Sequence, residues 1–366
     1  MRPGARAAAW SAGLAAALVA VAVGSATVGP EELGLVAVAR ASLNAVALPT
    51  SLQFEVSRAG LLGLSVPVPV PDVGYTYLFH FGVGDTTATI VRDIRLPRIA
   101  LAAVVGFALA TAGAVMQGFF RNPMADPSII GVSSGAAVGA VATIAFPLAL
   151  PFGLHVAAFV GAIVAAFGVY LLATRDGRTP VATLLLAGIA VQTFLGAVVS
   201  YLLLHSGESL EQAVFWLMGH LHNSSWAEVE VTLPLALLAF GVLLAFARDL
   251  NVLLLGEEDA QSLGVPVEQS KRILLAVSAV VTAAAVAVAG VIGFVGLIVP
   301  HVMRLLVGPD HRVLLPTSAL AGATFLVLTD TIARANAAEL PVGIVTAAVG
   351  APFFLYLLRQ REVYAL

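Results

Sequence analysis

Only a few residues in this chain have the types and spacing that chemistry requires. The segment GVSSG at 131–135 matches G-x-S-x-G, the turn that presents a nucleophilic serine in many hydrolases. That turn needs a strand before it and a histidine and an acid as partners, whereas here a helix is predicted to open after Pro127. Gly131, Gly135 and Gly139 recur every four residues, which is typical of a helix-packing ridge. Ser133 and Ser134 are therefore interpreted as packing or pathway residues, and no catalytic group is predicted.

A second candidate is the histidine pair His220 and His222, which could bind a metal or haem iron. Residues two apart do not share a helical face, and the sequence offers no evident third ligand. The chain has no cysteine, so a cysteine-based metal site is excluded. We predict an outer interfacial loop anchored by Trp216 and Trp226, with no metal and no cofactor, and leave open whether the two histidines contact a ligand.

Three arginines and one aspartate form the most distinctive charged set. Arg95-Leu96-Pro97-Arg98 is predicted to start a helix at the outer face, with proline in the first turn and both arginines directed to solvent. They are either arginines that extend to the membrane interface or a docking site for acidic residues of an outer partner. Asp330 and Arg334, four residues apart, either pair within one helix or place Arg334 beside the first two arginines.

The remaining polar candidates point away from enzymatic chemistry. Gln117 lies in an apolar run, where it lines a cavity or bonds a neighbouring helix. The chain has neither G-x-x-x-x-G-K-[ST] nor H-E-x-x-H, so no nucleotide site or protease metal site of its own is predicted. The net charge of −3 argues against a nucleic-acid partner.

The elements that must position these residues are membrane helices. Of the 366 residues, 60% are apolar and only 11% are charged, and the mean hydropathy is +0.99. A transmembrane helix needs about 20 mostly apolar residues. We predict an all-α polytopic membrane protein, one integral domain over residues 1–366, with ten transmembrane helices, the first of them an uncleaved span rather than a signal peptide. The predicted spans are Ala8–Val28, Ile99–Phe120, Ile129–Ala149, Gly153–Ala173, Ala182–His205, Val229–Phe246, Ile273–Val291, Leu297–Val307, Val313–Ile332 and Gly343–Leu358.

Two features divide or orient these spans. Gly290, Gly293, Gly296 and Pro300 interrupt one long apolar run, which favours two helices joined by a tight bend. An even number of spans places both termini on one side, and a cytoplasmic N-terminus puts twelve of the 18 basic residues inside, as the positive-inside rule requires. The outer loop 30–97 is then the largest polar excursion, with a surface helix at Leu33–Leu48 and an extended, hairpin-like insertion at 49–83 whose role is open.

The cytoplasmic segment 250–272, between spans six and seven, is unusually well defined. A turn at Gly256 precedes a short helix with Glu257, Glu258 and Asp259 in its first turn, where the helix dipole favours carboxylates. Gly264 is predicted to end this helix, after Leu263. Such a folded plug between spans is predicted to be a contact surface and not merely a connector.

Seven motifs, in order, resemble the FecCD-type permease family, the membrane subunits of ABC importers for vitamin B12, iron–siderophore complexes and haem. The resemblance covers about Ala8–Arg361, apart from 49–83, which is not expected in the family. The motifs are IRLPR (94–98), AGAVMQ (112–117), RNPMADPSIIGVSSGA (121–136), LLLGEEDAQSLGV (253–265), GFVGLIVPHVMRL (293–305), DHRVLLPTSALAGA (310–323) and ELPVGIVTAAVGAPFFLYLL (339–358).

The resemblance implies ten spans, cytoplasmic termini in the cell membrane, and a homodimer with the pathway at its interface. It implies that a coupling helix docks on two ATP-binding subunits through Gly256, Glu257, Glu258, Asp259, Leu263 and Gly264. It also implies that Arg95, Arg98 and Arg334 receive acidic residues of a substrate-binding protein on the outer face.

The substrate is less constrained by the sequence. Cobalamin is the favoured substrate, with an iron–siderophore complex or haem as the alternative. The different-class alternative, a secondary transporter driven by an ion gradient, would require a buried carboxylate in a span, for which Asp330 is the nearest candidate.

Overall fold

A computed structural model describes residues 3–29, 31, 33–61, 64–146, 153–222, 224–335 and 339–359. The end of the predicted span Ile129–Ala149, at 147–149, lies outside this part of the chain. Arg2 and Arg361, which contribute to the predicted charge asymmetry, also lie outside it.

The described chain is mainly helical, and each predicted span overlaps a helix. The helices are α1 (Pro3–Thr27), α2 (Leu35–Asn44), α3 (Asp85–Thr89), α4 (Leu96–Phe119), α5 (Val132–Ala145), α6 (Gly153–Ala173), α7 (Val181–Leu204), α8 (Leu210–Leu217), α9 (Trp226–Ala245), α10 (Ala247–Leu253), α11 (Glu257–Ser262), α12 (Val267–Ala289), α13 (Val295–Val307), α14 (His311–Ala333) and α15 (Val342–Arg359). Within the described ranges, seven helices are long and apolar enough to cross a membrane, whereas α5, α13 and α15 are shorter apolar helices. Helix length therefore supports a multi-pass protein, and the count of ten spans stays a prediction.

Helix α4 forms the centre of the bundle because almost all of its residues are buried. It packs against α14, α12, α13 and α9. Close approach depends on glycine: a Cβ added at Gly113 would overlap the carbonyl of Gly296, and one at Gly106 would overlap the carbonyl of Gly322. The small residues of α4 therefore let backbones meet directly.

The outer segment before α4 differs from the prediction in two ways. It contains a two-stranded antiparallel hairpin, β1 (Ala47–Leu61) and β2 (Leu64–Tyr77), so the fold is not all-α, although the hairpin-like reading of the insertion is confirmed. The helix that carries the arginines begins at Asp85, not at Arg95, because α3 runs through a π-helical turn at Ile90–Arg95 directly into α4. A wider π turn changes the hydrogen-bond register, which accommodates the missing N–H of Pro97 within a continuous helix. The last residues of the predicted outer loop, 85–97, are therefore helical.

The break between α12 and α13 confirms the predicted pair of helices. Helix α12 ends at Ala289, and α13 begins at Val295 after Phe294, which has a left-handed φ of 69°. Pro300 lies inside α13 and does not contribute to the break. The glycines and the strained Phe294, rather than the proline, make the bend.

Candidate functional site

The segment 250–272 folds as the sequence predicted. Helix α10 precedes Gly256, which has φ 132° and caps α11, the helix that holds all three acidic residues in its first turn. Gly264 follows α11 with φ 83°, and Pro266 caps α12. Because both glycines lie where side-chain-bearing residues are strained, the sequence fixes the turns on either side of α11.

Helix α11 has an attached side and a free side. On the attached side, the Lys271 ammonium donates to the Thr179 carbonyl at 2.7 Å and to the carboxylates of Glu257 and Glu268 at 3.1 Å each. The Lys271 side chain is only 4% exposed. This clamp ties α11 to α12 and to the turn before α7, and the sequence analysis did not predict it.

The free side of α11 combines charge and apolar surface. Glu258 and Asp259 are exposed, and Leu255 and Leu263 are 63% and 65% exposed. Exposed leucines beside carboxylates on a rigid, capped helix suit contact with another protein. The predicted contact residues therefore divide into Glu257, which holds the helix to the bundle, and the others, which are available outside it.

Arg95, Arg98 and Arg334 are all buried, so the expectation that Arg95 and Arg98 face solvent is wrong. Arg95, Arg98 and Arg334 are 4%, 9% and 3% exposed. Arg95 donates to the carbonyls of Ala26 at 2.8 Å and Glu31 at 2.6 Å. Arg334 donates to the carbonyls of Val28 at 2.8 Å and Ser25 at 2.7 Å.

The physical reason for this burial is the end of α1. The last carbonyls of a helix have no intrahelical donor and carry the negative end of the helix dipole. Two guanidinium groups satisfy the carbonyls at and just after the end of α1, which the sequence analysis had not connected with Arg95 or Arg334.

Arg98 is part of a charged network that joins α4, α14 and the segments before α9 and α15. Its guanidinium contacts Asp330 at 3.0 Å and Glu339 at 2.8 Å. Asp330 also pairs with Arg334 at 3.3 Å, which confirms the predicted pair within one helix. Glu339 in turn contacts His222 at 2.9 Å. Burial by itself would raise the pKa of the Glu339 carboxyl, but the Arg98 guanidinium lowers it below its usual value.

The two histidines line a cavity of about 360 Å³ between α4, α5, α6, α8, α9 and α12. The cavity is lined by His155, Gln212, Phe215, His220, His222 and Glu228, among others. The Phe215 ring lies 5.2 Å from the His220 ring and 5.0 Å from the His222 ring. Among the described residues, no group of three metal-ligating side chains comes together.

The surroundings of the histidines differ from the predicted loop. The segment contains helix α8, and Trp216 on it is buried at 2% exposure, so it is not an interfacial anchor. Trp226 begins α9, is 38% exposed and donates its indole N–H to the Arg92 carbonyl at 3.0 Å. An eight-residue helix with an apolar inner face was missed because it is too short to give a clear period.

The pathway candidates are occupied by packing. Gln117 is fully buried and donates to the Leu297 carbonyl at 2.8 Å, which favours a helix–helix bond over a cavity lining. Ser134 donates to the Gly131 carbonyl at 3.0 Å, and Ser133 is half-buried. A Cβ at Gly135 would overlap the Gly161 carbonyl, so the glycine ridge packs α5 on α6 as predicted.

Comparison with known proteins assigns this architecture. The model of the FecCD transport family matches residues 59–360. The chain is 59% identical over 364 residues, 99% of both chains, to the cobalamin import system permease protein BtuC of Halobacterium salinarum. It is 45% identical over 300 residues, 80% of this chain and 90% of the other, to the hemin transport system permease protein HmuU of Yersinia pestis. The insertion 49–83, which was not expected in the family, lies inside the stretch aligned with the Halobacterium protein.

A solved structure agrees with the sequence relatives. A metal-chelate type ABC transporter in an inward-facing conformation matches with a TM-score of 0.75 and 32% identity, covering 96% of this chain and 98% of the other. Because the family model spans most of the chain and the relatives are permeases, the chain belongs to the FecCD transport family and is the permease subunit of an ABC importer.

Proposed function

We propose that this permease carries cobalamin across the cell membrane, energised by a separate ATPase. The observation that supports this most is the 59% identity along 99% of both chains with a cobalamin import permease. The hemin permease of Yersinia pestis reaches 45% over 80% of this chain, which makes haem and other iron chelates the second candidate. Membership of an ABC importer family removes the alternative of an ion-gradient-driven transporter.

The proposed arrangement is a homodimer of ten-span subunits with both termini in the cytoplasm. Each of the ten predicted apolar segments overlaps a helix, and an even count agrees with the excess of basic residues on one side. Most of the apolar surface of α1 and α7 is left unburied within one chain, which leaves room for a second copy. An exposed helix of this kind lies against lipid or against another subunit, and the pathway would run between the two copies.

Energy is proposed to enter through the free side of α11. ATP binding would bring two ATPase subunits together, and each would push on a helix that Lys271 holds to α12. Glu258, Asp259 and Leu263 would form the contact, since they are exposed on a short helix fixed at both ends by glycine.

The substrate-binding protein is proposed to dock over Arg95, Arg98 and Arg334. Their burial limits which of them can bind an acidic residue, because Arg95 and Arg334 already donate hydrogen bonds to carbonyls at the end of α1. Arg98 differs, since its partner Glu339 has a side chain that is 27% exposed. An acidic residue of the binding protein would therefore compete with Glu339 for Arg98. The other two arginines would hold the end of α1 in place beside this contact.

Reconstituted transport tests the substrate. The permease, its ATPase and its binding protein in proteoliposomes should take up radiolabelled cyanocobalamin when ATP is supplied, and not ferric citrate or haemin. Uptake of haemin with no uptake of cyanocobalamin would reject cobalamin as the substrate.

The coupling role is tested by charge reversal on α11. Glu258→Lys combined with Asp259→Lys should abolish uptake and weaken ATPase association by about tenfold or more. The change replaces two negative charges by two positive ones, so a complementary surface of the ATPase would be repelled. Glu208→Lys, an exposed acid before α8, serves as the matched control and should transport normally. Normal transport by the α11 double variant would contradict the coupling assignment.

A further inference from the structure

Within the described part of the chain, the hairpin of β1 and β2 packs little against the helical bundle. Its register runs without interruption from Ser51↔Gly74 to Leu61↔Leu64. Among the described residues the two strands pack chiefly against each other. Fifteen residues of β1 extend over about 50 Å at roughly 3.3 Å per residue.

The two ends of the hairpin are bonded to each other, and one of them contacts the helical turn before α4. The Asn44 side chain donates to the Phe81 carbonyl at 2.8 Å and accepts from the Phe81 N–H at 2.7 Å. The Arg92 guanidinium donates to the Tyr77 hydroxyl at 2.7 Å and lies 4.7 Å from the Tyr77 ring centre. Arg92 is in the π-helical turn that contains Arg95, so the hairpin is joined to the proposed docking surface of Arg95, Arg98 and Arg334.

The register makes the two edges of the hairpin chemically different. In an antiparallel pair, hydrogen-bonded and non-hydrogen-bonded residue pairs alternate, and the amides of the second kind point away from the partner strand. With two residues between the strands, the pair Leu61↔Leu64 is hydrogen-bonded. Counting from it, three successive non-hydrogen-bonded pairs are Arg58↔Pro67, Val56↔Pro69 and Phe54↔Pro71.

Every one of these outward positions on β2 is a proline, which has no N–H. The edge of β2 therefore lacks three successive donors, and this is a known means of preventing strand addition. The opposite edge of β1 keeps both the N–H and the C=O of Phe54, Val56 and Arg58 directed outward. A hairpin that is closed on one edge and open on the other is suited to accept one added strand on a defined side.

We propose that the open edge of β1 pairs with an extended segment of the substrate-binding protein. This inference rests on the proposed function, which places that protein on the outer side. Tyr77 at the end of β2 is bonded to Arg92, in the same turn as Arg95, so the hairpin is continuous with the surface on which the binding protein is proposed to dock. At the base, Leu48, Leu78, Phe79 and Phe81 are 39% to 54% exposed, which adds an apolar patch beside the open edge.

Proline substitution tests the edge without disturbing the ladder. Val56→Pro removes an outward N–H from β1, where no ladder bond depends on it. Val73→Pro is the matched control, because Val73 pairs with Leu52 at the same kind of position but on the edge of β2. The probe is the purified binding protein, loaded with cyanocobalamin or empty, over the permease–ATPase complex in nanodiscs.

Val56→Pro should weaken binding by about tenfold, which corresponds to about 1.4 kcal/mol, and Val73→Pro should change it less than about twofold. Replacing residues 52–73 by two glycines should weaken binding at least as much as Val56→Pro. Normal affinity in Val56→Pro or in the truncation, or equal loss in both proline variants, would overturn the proposal. A changed permease oligomer in Val56→Pro, measured by light scattering, would assign the edge to a second copy and also overturn it. Because association is measured with and without cargo, a failure of cobalamin as substrate leaves this result interpretable.

Discussion

The contacts of Lys271 that hold α11 lead to a prediction that chemical labelling can test. Lys271 is the only lysine in the chain, and its ammonium is held by Thr179, Glu257 and Glu268. We expect Glu257→Gln to loosen α11 from the bundle, because it removes an ionic acceptor while keeping the shape of the side chain. Acylation of Lys271 by an amine reagent, followed by mass spectrometry of the peptide, then reports how often the clamp opens.

The magnitude follows from the exposure of the partners. A hydrogen bond between charged groups contributes about 1.5–3 kcal/mol when it is buried. The Glu257 side chain is 40% exposed, so solvent screening reduces its share to about 1 kcal/mol. Such a loss corresponds to about fivefold more of the open state and about fivefold faster acylation.

Two comparisons make the experiment decisive. Glu258→Gln, on the exposed side of the same helix, should acylate at the wild-type rate. Wild-type Lys271 should react far more slowly than the amine of a short reference peptide, because its side chain is 4% exposed. If wild-type Lys271 reacted as fast as the peptide, or if Glu257→Gln and Glu258→Gln behaved alike, the assignment of Glu257 as the residue that holds α11 would be wrong.

Three further predictions concern stability in detergent, which is measured for each variant as the melting temperature. Gly113→Ala should destabilise the bundle by about 2 kcal/mol or more, since its Cβ would overlap the Gly296 carbonyl; an unchanged melting temperature would argue against backbone contact there. Arg98→Gln should cost about 3 kcal/mol, because it removes a cation from Asp330, which is 1% exposed, and Asp330→Asn in the same chain should restore part of the loss. Burial and, secondarily, nearby histidines lower the pKa of His220, in the loop between α8 and α9, from 6.5 to about 4. The neutral form is favoured in the folded state, so its stabilisation is complete above pH 6.5 and is lost as the pH falls towards 4, by about 2 kcal/mol after allowance for partial exposure; His220→Gln should remove this pH dependence.

Local pattern accounts for what the sequence predicted well. Apolar runs of about 20 residues have few alternatives to a helix in a membrane, so each predicted span overlaps a helix. The turn and helix of segment 250–272 follow from Gly256, Gly264 and Pro266, because the backbone preferences of these residues act within a few positions. The hairpin reading of 49–83 followed from the prolines, and their spacing of two also encodes which edge of β2 is closed.

Contacts between distant segments were outside the reach of such patterns. Arg95 was expected in solvent, and Arg334 was expected to pair with Asp330 or to lie beside Arg95 and Arg98. Only the folded chain brings the last carbonyls of α1 to both arginines. The Lys271 clamp likewise joins residues from three separate segments. Burial of a charge depends on partners that arrive from elsewhere in the chain, whereas helices, turns and strand edges depend on neighbours in sequence. The sequence by itself therefore determined the long helices, the turns around α11 and the family. The tertiary structure decided which charged residues hold the bundle together and which remain free for a partner.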